Sequence, residues 1–158
     1  HASAALAEAI VKGGRNIDKE KAYEAMRKNA FEIADAEAYK DGKGRRAMQS
    51  YLKYGYIPLN DSVMEAFHTH EQVSRTLEYA YDDWCIYRLG KAMGKSKKAL
   101  EPFKKRAMNY RNVFDSTVKM MRGRLKTTVF SWQGHAIGGM FSIPVQDGLT
   151  ADGPMGNG

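Results

Sequence analysis

At 158 residues, with 43% apolar and 27% charged residues, the chain has the size and balance of one ordinary folded domain, which excludes wholesale disorder. No apolar run is long enough to span a bilayer, and the single cysteine, Cys85, excludes an internal disulfide. The net charge of +7 admits nucleic acid or an anionic membrane as partner. Against that, basic and acidic residues alternate, as in Asp18-Lys19-Glu20-Lys21. The densest basic groups, Lys43-Gly44-Arg45-Arg46 and Lys95-Ser96-Lys97-Lys98, fall in predicted loops. A solvated surface is the expected role of these charges, with neither nucleic acid nor membrane as partner. A basic helical nucleic-acid-binding module is the alternative.

The opening His1-Ala2-Ser3-Ala4-Ala5-Leu6 has no basic stretch ahead of an apolar one, so it does not read as a signal peptide. The chain reads as cut from something longer, any targeting signal lying upstream. A first helix is predicted over Ala4 to Val11, stopped by Gly13-Gly14. Asp18 caps a second, whose apolar stripe is Tyr23, Met26, Ala30, Phe31 and Ile33. A loop near Asp41-Gly42-Lys43-Gly44 leads to a short helix from about Arg46 to Lys53, ending at Gly55. Tyr54-Gly55-Tyr56-Ile57-Pro58 is a turn, Pro58 holding the residue before it extended. A long helix from about Glu71 to Met93 follows and is expected to be the most buried element. Ser96 caps a last helix carried by Phe103, Ala107, Tyr110 and Val113-Phe114. Pro102 belongs in a first turn, so that helix is expected to start after Ser96. No segment of this body alternates like a strand. After Lys126 the chain has no Lys or Arg, is rich in Gly, and reads as loop-like.

Chemistry concentrates in the long helix. Leu77, Tyr79, Ala80, Tyr81, Trp84, Cys85 and Ile86 cover most of its circumference, yet it also carries Glu78, Asp82 and Asp83. Glu78 and Asp82 share a face at i, i+4; Asp83 is rotated by about 100°. Burying carboxylates is costly unless they are paired or bonded. Two readings stay open. Either Arg75 or Arg88 pairs with them, or they border a sugar site, where aromatic faces and carboxylates meet ring and hydroxyls. Paired carboxylates also suit glycosidic acid–base chemistry. Glu65, His68, His70 and Glu71 are close enough to suggest a metal site, but His-x-His on a helix points to different faces, and a solvated loop is expected. Cys85 is read as a buried small hydrophobe.

The stretch Val73-Ser74-Arg75-Thr76-Leu77-Glu78-Tyr79-Ala80-Tyr81-Asp82-Asp83-Trp84-Cys85-Ile86 resembles the signature of family 92 glycoside hydrolases, with Gln72 where that family often has Ser. Three further blocks stand in the family's order: Glu20 to Met26, Tyr51 to Pro58, and Arg106 to Asp115, with Met121-Arg122-Gly123-Arg124 closing the series. The resemblance implies an all-α fold, a partial (α/α)6 barrel to which this chain supplies about half of the helices. It implies residues 1–125 as part of the catalytic domain and residues 126–158 as a divergent tail. It also implies an inverting, exo-acting α-mannosidase, calcium as cofactor, a mannose-containing glycan (N-glycan or mannan) as substrate, and a periplasmic or secreted location. The remainder of the catalytic domain is the expected partner. Glu78, Tyr79, Asp82 and Asp83 are the expected substrate-binding residues. After Arg124 the match departs. Trp132-Gln133 stands as a remnant of the family's Glu-Gly-x-x-Trp-Gln motif, with Thr128 where the general acid belongs and Val129 at the glycine's place. No catalytic acid, base or calcium ligand carries over, so turnover by this chain alone is not expected.

Overall fold

The computed structural model describes residues 2–61, 71–127 and 130, over which helices dominate. The candidate metal residues Glu65, His68 and His70, the Thr128-Val129 and Trp132-Gln133 positions, and nearly all of the tail lie outside the described residues.

Helix α1 spans Ala2–Val11, where five alanines supply strong helix propensity. It closes as the sequence signals. Gly13 turns left-handed at φ +81, its N–H donates to the Ile10 carbonyl, and the Gly14 N–H donates to the Ala9 carbonyl. These two bonds satisfy carbonyls that a helix end otherwise leaves open. Helix α2 spans Lys19–Phe31, and the Asp18 carboxylate accepts from the Lys21 N–H at 3.0 Å. Its buried stripe is Ala22, Tyr23, Met26 and Ala30. Ile33 lies beyond the helix and is exposed.

Helix α3, Ala36–Lys40, comes just before the expected loop and is not among the elements expected from the sequence. Asp35 caps it, accepting from the Ala38 N–H at 2.8 Å. It buries no residue, so no apolar stripe marks it in the sequence. Helix α4, Met48–Tyr54, ends at Gly55, also left-handed at φ +74. Tyr51 and Met48 point inward and meet Ile57 and Tyr79 in one cluster.

Helix α5, Gln72–Ala92, is within a residue of its expected span at each end. Ten of its 21 residues are buried, more than in any other described helix, because α1, α2, α6 and the 3₁₀ segment all pack on it. Burial is complete or partial from Gln72 to Ala80, while exposure begins at Tyr81 and recurs at Trp84 and Arg88. Gly90 marks the tightest crossing: a Cβ there would lie 2.5 Å from Leu100 Cδ2 and 2.9 Å from Tyr23 Cε2. The main core gathers Ile10 of α1, Tyr23 and Met26 of α2, Ile86 and Leu89 of α5, and Leu100 and Phe103 of α6. Cys85 packs partly buried at its edge.

Helix α6, Lys97–Arg106, starts directly after Ser96, whose hydroxyl accepts from the Ala99 N–H. The expected later start is corrected. Pro102 sits at the sixth position and leaves the Lys98 carbonyl without its intrahelical donor, which exposed Lys98 tolerates beside water. The helix also stops earlier than its apolar spacing suggests. A 3₁₀ helix, Asn109–Val113, continues the chain. A two-residue hairpin then pairs β1, Phe114–Asp115, antiparallel to β2, Met120–Met121, too short for alternation to register in sequence. Beyond it, Leu59 N–H donates to the Arg124 carbonyl, and Lys126 N–H to Asn60 Oδ1, tying the chain after α6 to the segment before α5.

Candidate functional site

Midway along α5, three side chains singled out in the sequence, Tyr79, Asp82 and Asp83, meet partners from other parts of the chain. Asp83 is fully buried and sits between two guanidinium groups. Arg45 Nη1 lies 2.8 Å from its Oδ1, and Arg106 Nε 2.8 Å from its Oδ2. Arg106 also donates through Nη1 to the Ala30 carbonyl at 2.8 Å, which ties the end of α6 to the last turn of α2. Its guanidinium lies over the Phe31 ring, 4.5 Å from the centroid. Asp82 is the next acid outward; its Oδ2 is 4.0 Å from Arg45 Nη2. Asp82 Oδ1 is buried and accepts no hydrogen bond from a described residue.

Tyr79 organises the loop that delivers Arg45. Its hydroxyl accepts from the Arg46 N–H at 2.7 Å and donates to the Arg46 carbonyl at 3.1 Å, so both backbone groups of one residue are held by one phenol. The same ring lies under Arg45, with the guanidinium carbon 5.0 Å from its centroid, and meets Tyr51 edge-on at 5.4 Å. The Tyr79 hydroxyl is therefore committed within the chain, as is the Asp83 carboxylate.

Electrostatics follow burial. Burial raises the Asp83 carboxyl above the ordinary aspartate range, with Arg45 and Arg106 pulling the other way. Two guanidinium groups at 2.8 Å favour its charged form. Burial likewise raises Asp82, opposed by Arg45, and lowers Arg106, opposed by Asp83. Glu78, half-buried, is raised by burial and then by the neighbouring Glu71 carboxylate. The phenol of Tyr79 is pushed up to about 12, chiefly by burial. Nothing here lowers a nucleophile toward neutrality.

The pairing differs from the sequence expectation in a specific way. Neither Arg75 nor Arg88 serves the aspartates: Arg75 pairs with Glu71 at 3.3 Å, and Arg88 lies over the Trp84 ring. Their partners come from 38 and 23 residues away, measured from Asp83. Arg45, expected on a solvated loop, is 3% exposed. One arginine does serve two acids, but the pair is Asp82 and Asp83 rather than Glu78 and Asp82. The need for cations was legible, since a buried carboxylate demands them, and Arg106 opens one of the blocks that resemble the family, but nothing in the sequence marks Arg45.

Calcium prefers six to eight oxygen ligands. Among the described residues no three metal-ligating acids, histidines or cysteines converge, and the α5 aspartates are held by arginines, so these residues do not fit the ion.

Comparison with known proteins places this arrangement. The profile of the glycosyl hydrolase family 92 catalytic domain matches residues 1–141. A protein of Arthroderma benhamiae described as an uncharacterized secreted glycosidase is 36% identical over 116 residues, covering 72% of this chain and 14% of that protein. A family GH92 α-mannosidase of Bacteroides thetaiotaomicron, solved with mannoimidazole, superposes with TM-score 0.66 at 34% identity, over 84% of this chain and 15% of that one. A GH92 inverting mannosidase from the same bacterium gives 0.65 at 31% identity, over 83% and 16%. The helical unit built around α5 is thus part of a glycoside hydrolase catalytic domain. The chain belongs to glycosyl hydrolase family 92. It spans about one-seventh of the length of the relatives it matches.

Proposed function

We propose that this chain forms one helical sector of an exo-acting, inverting α-mannosidase domain of (α/α)6 architecture, and that α5 is an inner helix of that barrel. The substrate is an α-mannoside of an N-glycan or mannan type, and the location is secreted, in keeping with the description of the fungal relative, or periplasmic. Support comes from the family match together with one observation on α5: Asp82 Oδ1 is buried without a hydrogen-bond donor among the described residues. A buried carboxylate oxygen left unbonded is costly, so a donor belongs there in the complete domain.

In this reading the four residues divide their work. Glu78 and Asp82 border the sugar site. Tyr79 and Asp83 hold them in place, the first by fastening residue 46 and the second by gathering Arg45 and Arg106. The general acid, the general base and calcium belong to other parts of the domain. At the acid's position this chain has Thr128, which cannot protonate a leaving group as a carboxylic acid does. No step runs through the residues of α5; they position.

The experiment is Glu78→Gln in a complete family 92 domain carrying this segment. The expected result is a large loss of kcat/KM on an α-mannoside without a fall in Tm. A lowered Tm with the specific activity of the folded fraction intact would remove Glu78 from the site while leaving the family assignment standing.

A further inference from the structure

One flank of α5 is left open. The helix packs against α1, α2, α6 and the 3₁₀ segment, yet Tyr81, Trp84 and Arg88 are exposed at spacings of three and four residues, which places them on one face. Between this face and α1 lies a groove of about 600 Å³, lined by Val11, Tyr81, Trp84, Cys85 and Arg88 together with small residues of α1. From Tyr81 to Ala92 the lining follows α5 for about 16 Å, or three turns.

We propose that this groove is the docking surface for an amphipathic helix from the remainder of the catalytic domain, which brings an apolar stripe to Val11, Tyr81 and Trp84 and a carboxylate to Arg88. The proposal rests on the reading of the chain as one sector of a larger domain and gives that sector its partner face.

Three observations carry it. The first is apolar exposure gathered in one place. Val11 is 60% exposed, Tyr81 59% and Trp84 41%, the last despite a Tyr87 ring 5.5 Å away and the Arg88 guanidinium 5.5 Å from its centroid. Large side chains left open side by side mark a surface that another element covers. The second is charge. Of the two ionised groups lining the groove, Glu8 is paired with Lys12 of its own helix at 2.5 Å, whereas Arg88 makes no ion pair with a described residue. The uncompensated charge is therefore a cation, and it selects an acidic partner. The third is length. Two solved relatives superpose on 84% and 83% of this chain, which accounts for only 15% and 16% of theirs. The helices of so much further chain bury their apolar stripes against faces of this kind. The shape suits a helix: α1 lines the groove with Ala4, Ala5 and Ala7, whose small side chains let a second helix approach to the usual 8–10 Å or so between axes.

Cys85, the single cysteine of the chain, lines the groove and reports on it. Iodoacetamide is reacted with the 158-residue chain and with a complete family 92 domain carrying this segment, and alkylation of Cys85 is followed by mass spectrometry. The complete domain should slow alkylation by about 10-fold or more. Val11→Gln should leave the Tm of the 158-residue chain within about 1–2 °C, as exposed substitutions do, while lowering that of the complete domain and speeding alkylation there. Trp84→Gln, in the same groove, should likewise speed alkylation in the complete domain. Equal alkylation rates in the two proteins would overturn the proposal, and so would equal Tm changes for Val11→Gln. Protection that already appears in the 158-residue chain and grows with its concentration would name a second copy as the occupant and overturn it too. Hydrolysis of an α-mannoside by the same complete domain tests the activity separately: turnover with Cys85 unprotected defeats only the groove, and protection without turnover defeats only the mannosidase reading.

Discussion

Replacing Asp83 by Asn keeps the side chain's shape and removes the one charge that Arg45 and Arg106 share. Both guanidinium groups are at least nine-tenths buried and both lie 2.8 Å from this carboxylate, so neither has water to turn to. Removing one partner of a buried pair costs about 3–5 kcal/mol, mostly from the charge left behind. Here two charges are left behind, with only Asp82, 4.0 Å from Arg45, in reserve, so the upper half of that range is expected. Against a total stability of about 5–15 kcal/mol for a domain, this brings the chain close to unfolding. At about 2–4 °C per kcal/mol for this chain length, Tm should fall by roughly 8–20 °C. Urea unfolding followed by far-ultraviolet circular dichroism measures it. A companion variant separates charge from packing: Arg45→Met, Asp83→Leu and Arg106→Met together replace the whole network with apolar groups. It should recover most of the loss and retain a deficit of about 1–3 kcal/mol, because the Ala30 carbonyl loses its donor. An Asp83→Asn change within about 0.5 kcal/mol of the parent would mean that the arginines are solvated and that the network described here does not exist.

Gly90→Ala should destabilise by about 1–3 kcal/mol, since the new methyl meets Leu100 and Tyr23 inside van der Waals distance; an unchanged urea midpoint would show that α5 and α6 cross less closely. Tyr79→Phe removes both bonds to residue 46 and should cost about 1–3 kcal/mol, while hydrogen exchange at the Arg46 amide speeds up; unchanged protection there would refute the clamp. Glu78 has a raised carboxyl, so the folded state holds its proton to higher pH than the unfolded state does. Its contribution is present at low pH and declines as pH rises from the ordinary glutamate range through the raised folded value. Glu78→Gln abolishes that decline, so the variant's Tm relative to the parent should be higher at pH 7 than at pH 4; a difference independent of pH would place Glu78 in water.

Local signals were legible wherever the determinant lies within one turn of the chain. Asp18 and Ser96 cap the helices expected of them, Gly13 ends α1, and α5 keeps its predicted bounds, because side-chain oxygens and glycines act on backbone groups three residues away or fewer. What escaped depends on distance or on overrides. Helix α3 is one turn with an exposed surface, so only its Asp35 cap marks it. Pro102 reads as a helix start, yet burial of Leu100 and Phe103 on one face holds the preceding turn in place. Of the site, the need for cations beside the α5 acids was visible, but not which cations. Spacing along a helix nominates Arg75 and Arg88, whereas Arg45 and Arg106 reach Asp83 only after α4, α5 and α6 have packed. Loop composition around Arg45 suggests a solvated surface, and only the Tyr79 clamp shows why that loop turns inward.

The central claim is that this chain supplies a positioning sector of a family 92 α-mannosidase without the machinery for turnover. Incubating the purified 158-residue chain with a chromogenic α-mannoside, with calcium and with a chelator, and measuring released mannose over hours, tests it most directly. The account predicts no release above the uncatalysed background in either condition, since losing proton transfer by the general acid alone removes about 10²–10⁴-fold of rate. Release at an enzymatic rate that follows the folded fraction would contradict it and place the acid and base within this chain.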